Sequence, residues 1–146
     1  MACRIVCGEQ FVPLNNAQFS LLIDLAIEVG RGSSKDTGES QFVDRMIQMR
    51  DETFWPGRGI DLERDFPVLE EQKFWARVFL DTARAIFERR VGRHDQAFWQ
   101  AQCIWQAYGT GILFQNAVRL KEPAWRADSI DNTEFDRDRP HAEGVR

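Results

Sequence analysis

The residues able to do chemistry in this chain are few, and their spacing decides what they could do. Three cysteines (Cys3, Cys7, Cys103) and two histidines (His94, His141) are the only thiol or imidazole ligands among 146 residues. Cys3 and Cys7 could offer two thiolates to a metal, but no second pair follows, and structural zinc takes four ligands. A helical di-iron site needs a glutamate with a histidine three residues on, and none occurs. The sequence therefore points to no metal and no cofactor. Cys103 lies in an apolar stretch, where a thiol is inert packing rather than a nucleophile. No Gly-x-Ser-x-Gly is present, and no catalytic residue is assigned.

Two carboxylate pairs share helix faces: Asp24 with Glu28, and Glu70 with Glu71 near Lys73. A general acid needs burial or a close charge to move its pKa. These carboxylates fall on faces expected to meet solvent or at helix starts, so they are expected to be ordinary surface groups. Gly30-Arg31-Gly32 and Gly57-Arg58-Gly59 repeat a tripeptide in two loops shortly before helices. Backbone amides, an arginine and a helix N-terminus could hold an anion, but the rest of a P-loop or dinucleotide fingerprint is missing, and both are read as turns. Phe74, Trp75, Phe79, Phe87, Phe98, Trp99 and Trp105 recur at helical spacing, which marks a core before it marks a ligand pocket.

The elements that must carry these residues are mostly helical by pattern. Cys3–Leu14 is β-branched and broken by Gly8, as in a short strand or hairpin turning at Gly8-Glu9. A first helix begins at Asn15 or Asn16, buries Phe19, Leu22, Ile23 and Ala26, shows Ser20, Asp24 and Glu28 to water, and stops at Gly30. A second runs from about Thr37 to Thr53. Asp36 and Glu39 form a capping-box pattern at its start, Phe42, Val43, Met46 and Ile47 face inward, and Gln41, Asp44, Arg45 and Gln48 face outward. Phe54–Phe66 is irregular, because Trp55 precedes a proline and glycines flank Arg58. A third helix is expected from Pro67 to Val91, and a fourth from Asp95 across the uncharged stretch Gln96 to Val118. The three residues 92–94 between them require an antiparallel pair.

That stretch of 23 residues is long enough, at ~1.5 Å per residue, to cross a bilayer. Its glutamines, Thr110 and Asn116 would each need a hydrogen-bond partner in lipid, so a span is rejected. Its apolar residues cover most of its circumference, which describes a helix surrounded by others; the sharper reading leaves one side exposed for a partner or for a second copy, as in a homodimer sharing Gln96 to Val118. The expected fold is all-α: an up-and-down bundle of four main helices, with a short extended or β segment at the N-terminus and a charged C-terminal tail. Residues 1–127 form the single domain, and 128–146 the tail, which is expected to be mobile.

The chain carries a net charge of −4, which disfavours nucleic acid as a partner. A sparse, odd set of cysteines and no apolar leader suggest a reducing, cytoplasmic setting. With catalytic chemistry missing, the reading by elimination is a non-enzymatic protein-binding protein that neutralises a basic partner, such as a bacterial toxin immunity protein. The candidate contacts are Asp24, Glu28, Asp36 and Glu39 around the first loop, and Trp55, Arg58, Asp61 and Glu63 in the second. No membrane partner is expected. Two other classes stay open: a carrier or sensor with an apolar pocket between helices, and an enzyme of unfamiliar type using Glu71, Arg77 or His94.

Overall fold

The computed structural model describes residues 2–54, 58–91 and 97–127. In chain order they form β1 (Ala2–Cys7), β2 (Gln10–Asn15), α1 (Asn16–Ser33), α2 (Thr37–Glu52), β3 (Ile60–Asp61), α3 (Leu62–Asp65), α4 (Leu69–Phe87) and α5 (Ala97–Arg119). The expected pure four-helix bundle is therefore wrong. The fold is mostly helical, with a three-stranded mixed sheet at the N-terminus.

The sheet forms because inward and outward residues alternate in register. Cys3, Ile5, Val12 and Leu14 are buried, whereas Arg4 and Pro13 point to water. Gly8, at φ 61°, makes the tight turn between β1 and β2. The third strand was hidden in the irregular segment. Ile60 and Asp61 pair in parallel with Ile5 and Val6. Gly59 makes that possible: it sits at φ 68°, and a Cβ there would collide with the Arg4 carbonyl oxygen. Strand order is β2-β1-β3, and α5 packs against β1 and β2. The sheet thus supplies shelter that a purely helical bundle would have drawn from another helix.

Capping is read well from sequence. Asn15 accepts from the Gln18 backbone N–H at 2.8 Å, and the Gln18 side chain accepts from the Asn15 N–H at 2.9 Å, closing a reciprocal box. Asp36 caps the Glu39 N–H at 2.9 Å, while the Glu39 carboxylate reaches back to the Lys35 N–H at 2.8 Å. Gly30, however, does not stop α1, which continues to Ser33. Gly30 serves packing instead, since a Cβ there would lie 3.3 Å from Val43 and 3.7 Å from Phe74 and Trp75. The third main helix is shorter than expected at both ends, running from Leu69 to Phe87, and Arg89 at φ 59° turns the chain away.

The core is aromatic and continuous. Trp75, Phe79, Phe66 and Phe114 are among its largest fully buried side chains. Phe79 stacks on Phe114 at 5.7 Å, and Phe66 meets Phe114 edge-on at 5.3 Å. α4 and α5 are antiparallel neighbours, with Lys73 paired to Glu122 at 2.9 Å across their shared end. The uncharged helix is sheltered, as its pattern requires. Cys103, Ala107, Tyr108, Leu113, Phe114, Ala117 and Val118 are buried. Three of its polar side chains find partners: Gln102 accepts from Gln18, Asn116 donates to Gln10 at 2.9 Å, and Gln115 accepts from the Ala127 N–H at 3.0 Å, while the buried Gln106 Oε1 has none among the described residues. Among the described residues, no helix is long and apolar enough to cross a membrane. The expected tail and the 92–94 connection lie outside the described residues.

Candidate functional site

The most constrained polar region is the corner formed by residues 58–66, where β3 and α3 turn into α4. Asp65 ends the single turn of α3, and its carboxylate is only 4% exposed. Arg58 grips it with two bonds, at 2.8 and 3.2 Å. Arg64 adds two more, at 3.0 and 3.1 Å, and the Asp61 N–H a fifth at 3.0 Å. Burial alone would raise the Asp65 pKa. The hydrogen bonds from Arg64, Arg58 and the Asp61 backbone outweigh it and hold the carboxyl below its ordinary value.

A second buried carboxylate lies next to this corner. Glu71 is 2% exposed and accepts from Arg45 Nε at 3.0 Å through both oxygens, with Arg45 Nη2 at 2.7 Å. Arg45 also donates to the Asp65 carbonyl and stacks over the Phe66 ring at 5.1 Å. Glu71 further accepts from the Trp75 indole N–H at 3.4 Å. One guanidinium therefore ties α2, α4 and the corner together. Glu71 corrects a sequence expectation, which placed it at a solvent-facing helix start, whereas Arg45 keeps the outer face of α2 expected for it and reaches Glu71 with its guanidinium. A signal existed for Glu71, because it lies four residues before Trp75 and so shares the core stripe of α4. Asp65 carries no such signal, since it sits in an irregular segment without a period.

The residues expected to bind a partner fall into groups with different surroundings. Asp24 is exposed on α1 and meets Arg50 at 3.2 Å, near the end of α2; Glu28 is exposed one turn further along. Asp36 is spent as an N-cap. Glu39 is 16% exposed and paired with Arg77 at 3.2 Å. Arg58 is 13% exposed, closed onto Asp65 and set over Phe54 at 5.5 Å. Asp61 caps the Glu63 N–H at 3.0 Å, and Glu63 itself is exposed. Trp55 lies outside the described residues. The structure thus brings Arg58, Asp61 and Glu63 together at the corner. Asp36 and Glu39 stand apart from it, at the opposite end of α2 from Arg50.

A cleft of about 100 Å³ opens where α1, α2 and α4 meet, with Lys35, Glu39, Arg77 and Asp81 around Phe74 and Val78. Pockets for drug-sized ligands measure roughly 300 Å³ or more, so this cleft is smaller than such a site. Phe74, Trp75 and Phe79 of that stripe are core, and Phe87 is 44% exposed. Arg77 lines the cleft while Glu71 is closed onto Arg45 elsewhere, and His94 lies outside the described residues. Cys103 is pushed up to about 11 by burial. Cys7 is raised by burial and by the nearby Glu63 and Asp61 carboxylates, which keeps both thiols from forming the reactive thiolate. Among the described residues, no group of three or more His, Cys, Asp and Glu side chains could hold a metal ion.

No family model matches the chain, and neither a curated protein nor a solved structure matches it.

Proposed function

We propose that this protein is a non-enzymatic inhibitor that binds a basic protein partner, with the immunity protein of a bacterial toxin as its most specific form. The observation that carries this reading is the division of its carboxylates. Asp65 and Glu71 are buried and closed onto arginines, which removes them from acid–base work. Asp24, Glu28 and Glu63 face water on well-anchored elements. Ile60, Leu62 and Phe66 are fully buried beneath the corner, so Asp61 and Glu63 are presented on a backbone already in place. A surface that needs no ordering on contact loses less entropy when it binds, and negative charge steers a basic partner toward it.

The test is capture of a partner from the native host, followed by reversal of Asp24, Glu28, Asp61 and Glu63 to lysine. Capture at low salt should weaken by more than about tenfold, with the far-ultraviolet circular dichroism unchanged. Undiminished capture by the folded reversal variant would remove the acidic-surface reading.

A further inference from the structure

The cleft where α1, α2 and α4 meet sets charges of both signs around an apolar floor. Phe74 and Val78, each 2% exposed, form the floor, and Ser33, Lys35, Glu39, Arg77 and Asp81 the wall. Part of the wall is fixed. Glu39 accepts from the Lys35 backbone N–H at 2.8 Å and from Arg77 Nη2 at 3.2 Å. Part is open. That bond uses one of the guanidinium's donors; among the described residues, neither the other Arg77 donors nor the Lys35 ammonium has a partner. The Ser33 hydroxyl donates to the Val29 carbonyl at 2.9 Å, so its oxygen remains to accept.

Charge and size together select the occupant. Two cations (Lys35, Arg77) and two carboxylates (Glu39, Asp81) leave the wall neutral, so an ion of either sign meets attraction and repulsion in equal measure. A molecule carrying both charges gains at each end. The cleft measures about 100 Å³, and at about 10–15 Å³ for each water-sized group it takes roughly seven to ten non-hydrogen atoms. A protein segment is too large for it, and the tip of a partner's side chain would bring one charge to a neutral wall.

We propose that this cleft binds a free α-amino acid with a short aliphatic side chain, of alanine to valine size. Its carboxylate lies against Arg77 and Lys35, its ammonium against Asp81 and the Ser33 oxygen, and its side chain on Phe74 and Val78. A carboxylate accepts about four hydrogen bonds, so Asp81 can take the ammonium beside any contact it already makes. The site goes beyond the inhibitor reading, and none of the four residues reversed in the capture test lines it. It also differs from the carrier expected from sequence, because paired charges rather than aromatic area select the ligand. Arg77 is 31% exposed, and solvent weakens such contacts, so a dissociation constant on the order of 1 mM is expected.

The test is the melting temperature of the full chain with L-alanine, L-valine, sodium propionate, n-propylamine and L-tryptophan, each at the same concentration and ionic strength. At about 10 mM, alanine or valine should raise it by roughly 4 °C. Propionate and propylamine, with one charge each, should do much less, and tryptophan, too large for the space, nothing. Arg77→Gln and Asp81→Asn should each weaken alanine binding about tenfold. Lys35→Gln, at an exposed position where the fold is undisturbed, should weaken it about threefold. No shift of the wild-type chain with alanine or valine overturns the proposal. An equal shift with propionate, propylamine or tryptophan overturns it too, because the site would then not select a small zwitterion. So does undiminished binding in all three variants, folded by circular dichroism, which would place the amino acid elsewhere.

Discussion

The seam between α4 and α5 and the seam between α2 and the 58–66 corner are built from opposite materials. The first is apolar and close. Phe79 lies flat on Phe114, and Gly111 lets the Leu80 backbone approach, so that an added Cβ would stand 3.1 Å from the Leu80 nitrogen and 2.7 Å from its side chain. The second is polar, with two buried carboxylates held by three arginines. The apolar seam gains stability in proportion to the area it removes from water. The polar seam contributes little net energy when complete, yet a large loss when one partner is removed, because a charge is then left in a low-dielectric surrounding. The first therefore supplies stability, and the second supplies one particular placement of the corner.

The sharpest way to break this contrast is Arg45→Met, which leaves Glu71 buried and unpaired. We expect a loss of about 3 kcal/mol, at the lower end for broken buried pairs because Arg45 is itself partly exposed. It should read out as a lower urea midpoint at unchanged slope. Adding Glu71→Leu to that variant should recover most of the loss; a double variant no better than the single would deny that the uncompensated charge is the cause. At the apolar seam, Gly111→Ala inserts one methyl against Leu80 and should cost about 2 kcal/mol by overpacking. A neutral result there would mean the two helices have room to separate.

Asp65 separates the seams by pH. Its folded-state pKa lies below the unfolded value near 3.9, so its contribution is present at neutral pH and lost as pH falls below about 4. Thermal melts from neutral pH downward should show that loss in the wild type and a shallower one in Asp65→Asn. Identical acid limbs would show that Asp65 does not set the acid sensitivity. The smallest effect belongs to the surface pair. Asp24→Asn breaks the contact with Arg50, whose partners are both largely exposed, and should change stability by at most about 0.5 kcal/mol.

Much of the helical organisation was legible in the chain. Asn15 and Asp36 announce their helices because a cap acts within three residues, and the Gly8 turn follows from an alternating pattern on either side. The uncharged stretch was read as a sheltered helix because its apolar residues cover most of its circumference. These are local or periodic signals, and the residues that produce them are neighbours in sequence. Of the expected contact residues, Arg58, Asp61 and Glu63 share one corner, but only the folded chain reveals that Arg58 is closed beneath it.

What the tertiary structure alone decided are contacts between segments without a common period. β3 is two residues long and exists only because β1 offers an edge and Gly59 can press against Arg4. Glu71 is buried because Arg45, 26 residues earlier, folds over to meet it. No single segment carries the free energy of such pairings, since each half is unfavourable until its partner arrives. The sequence by itself determined which stretches become helices and which of their faces turn inward, because those depend on burying apolar area at a helical repeat. Which charges would be enclosed, and where a third strand would form, depended on distant residues meeting, and only the folded chain specifies that.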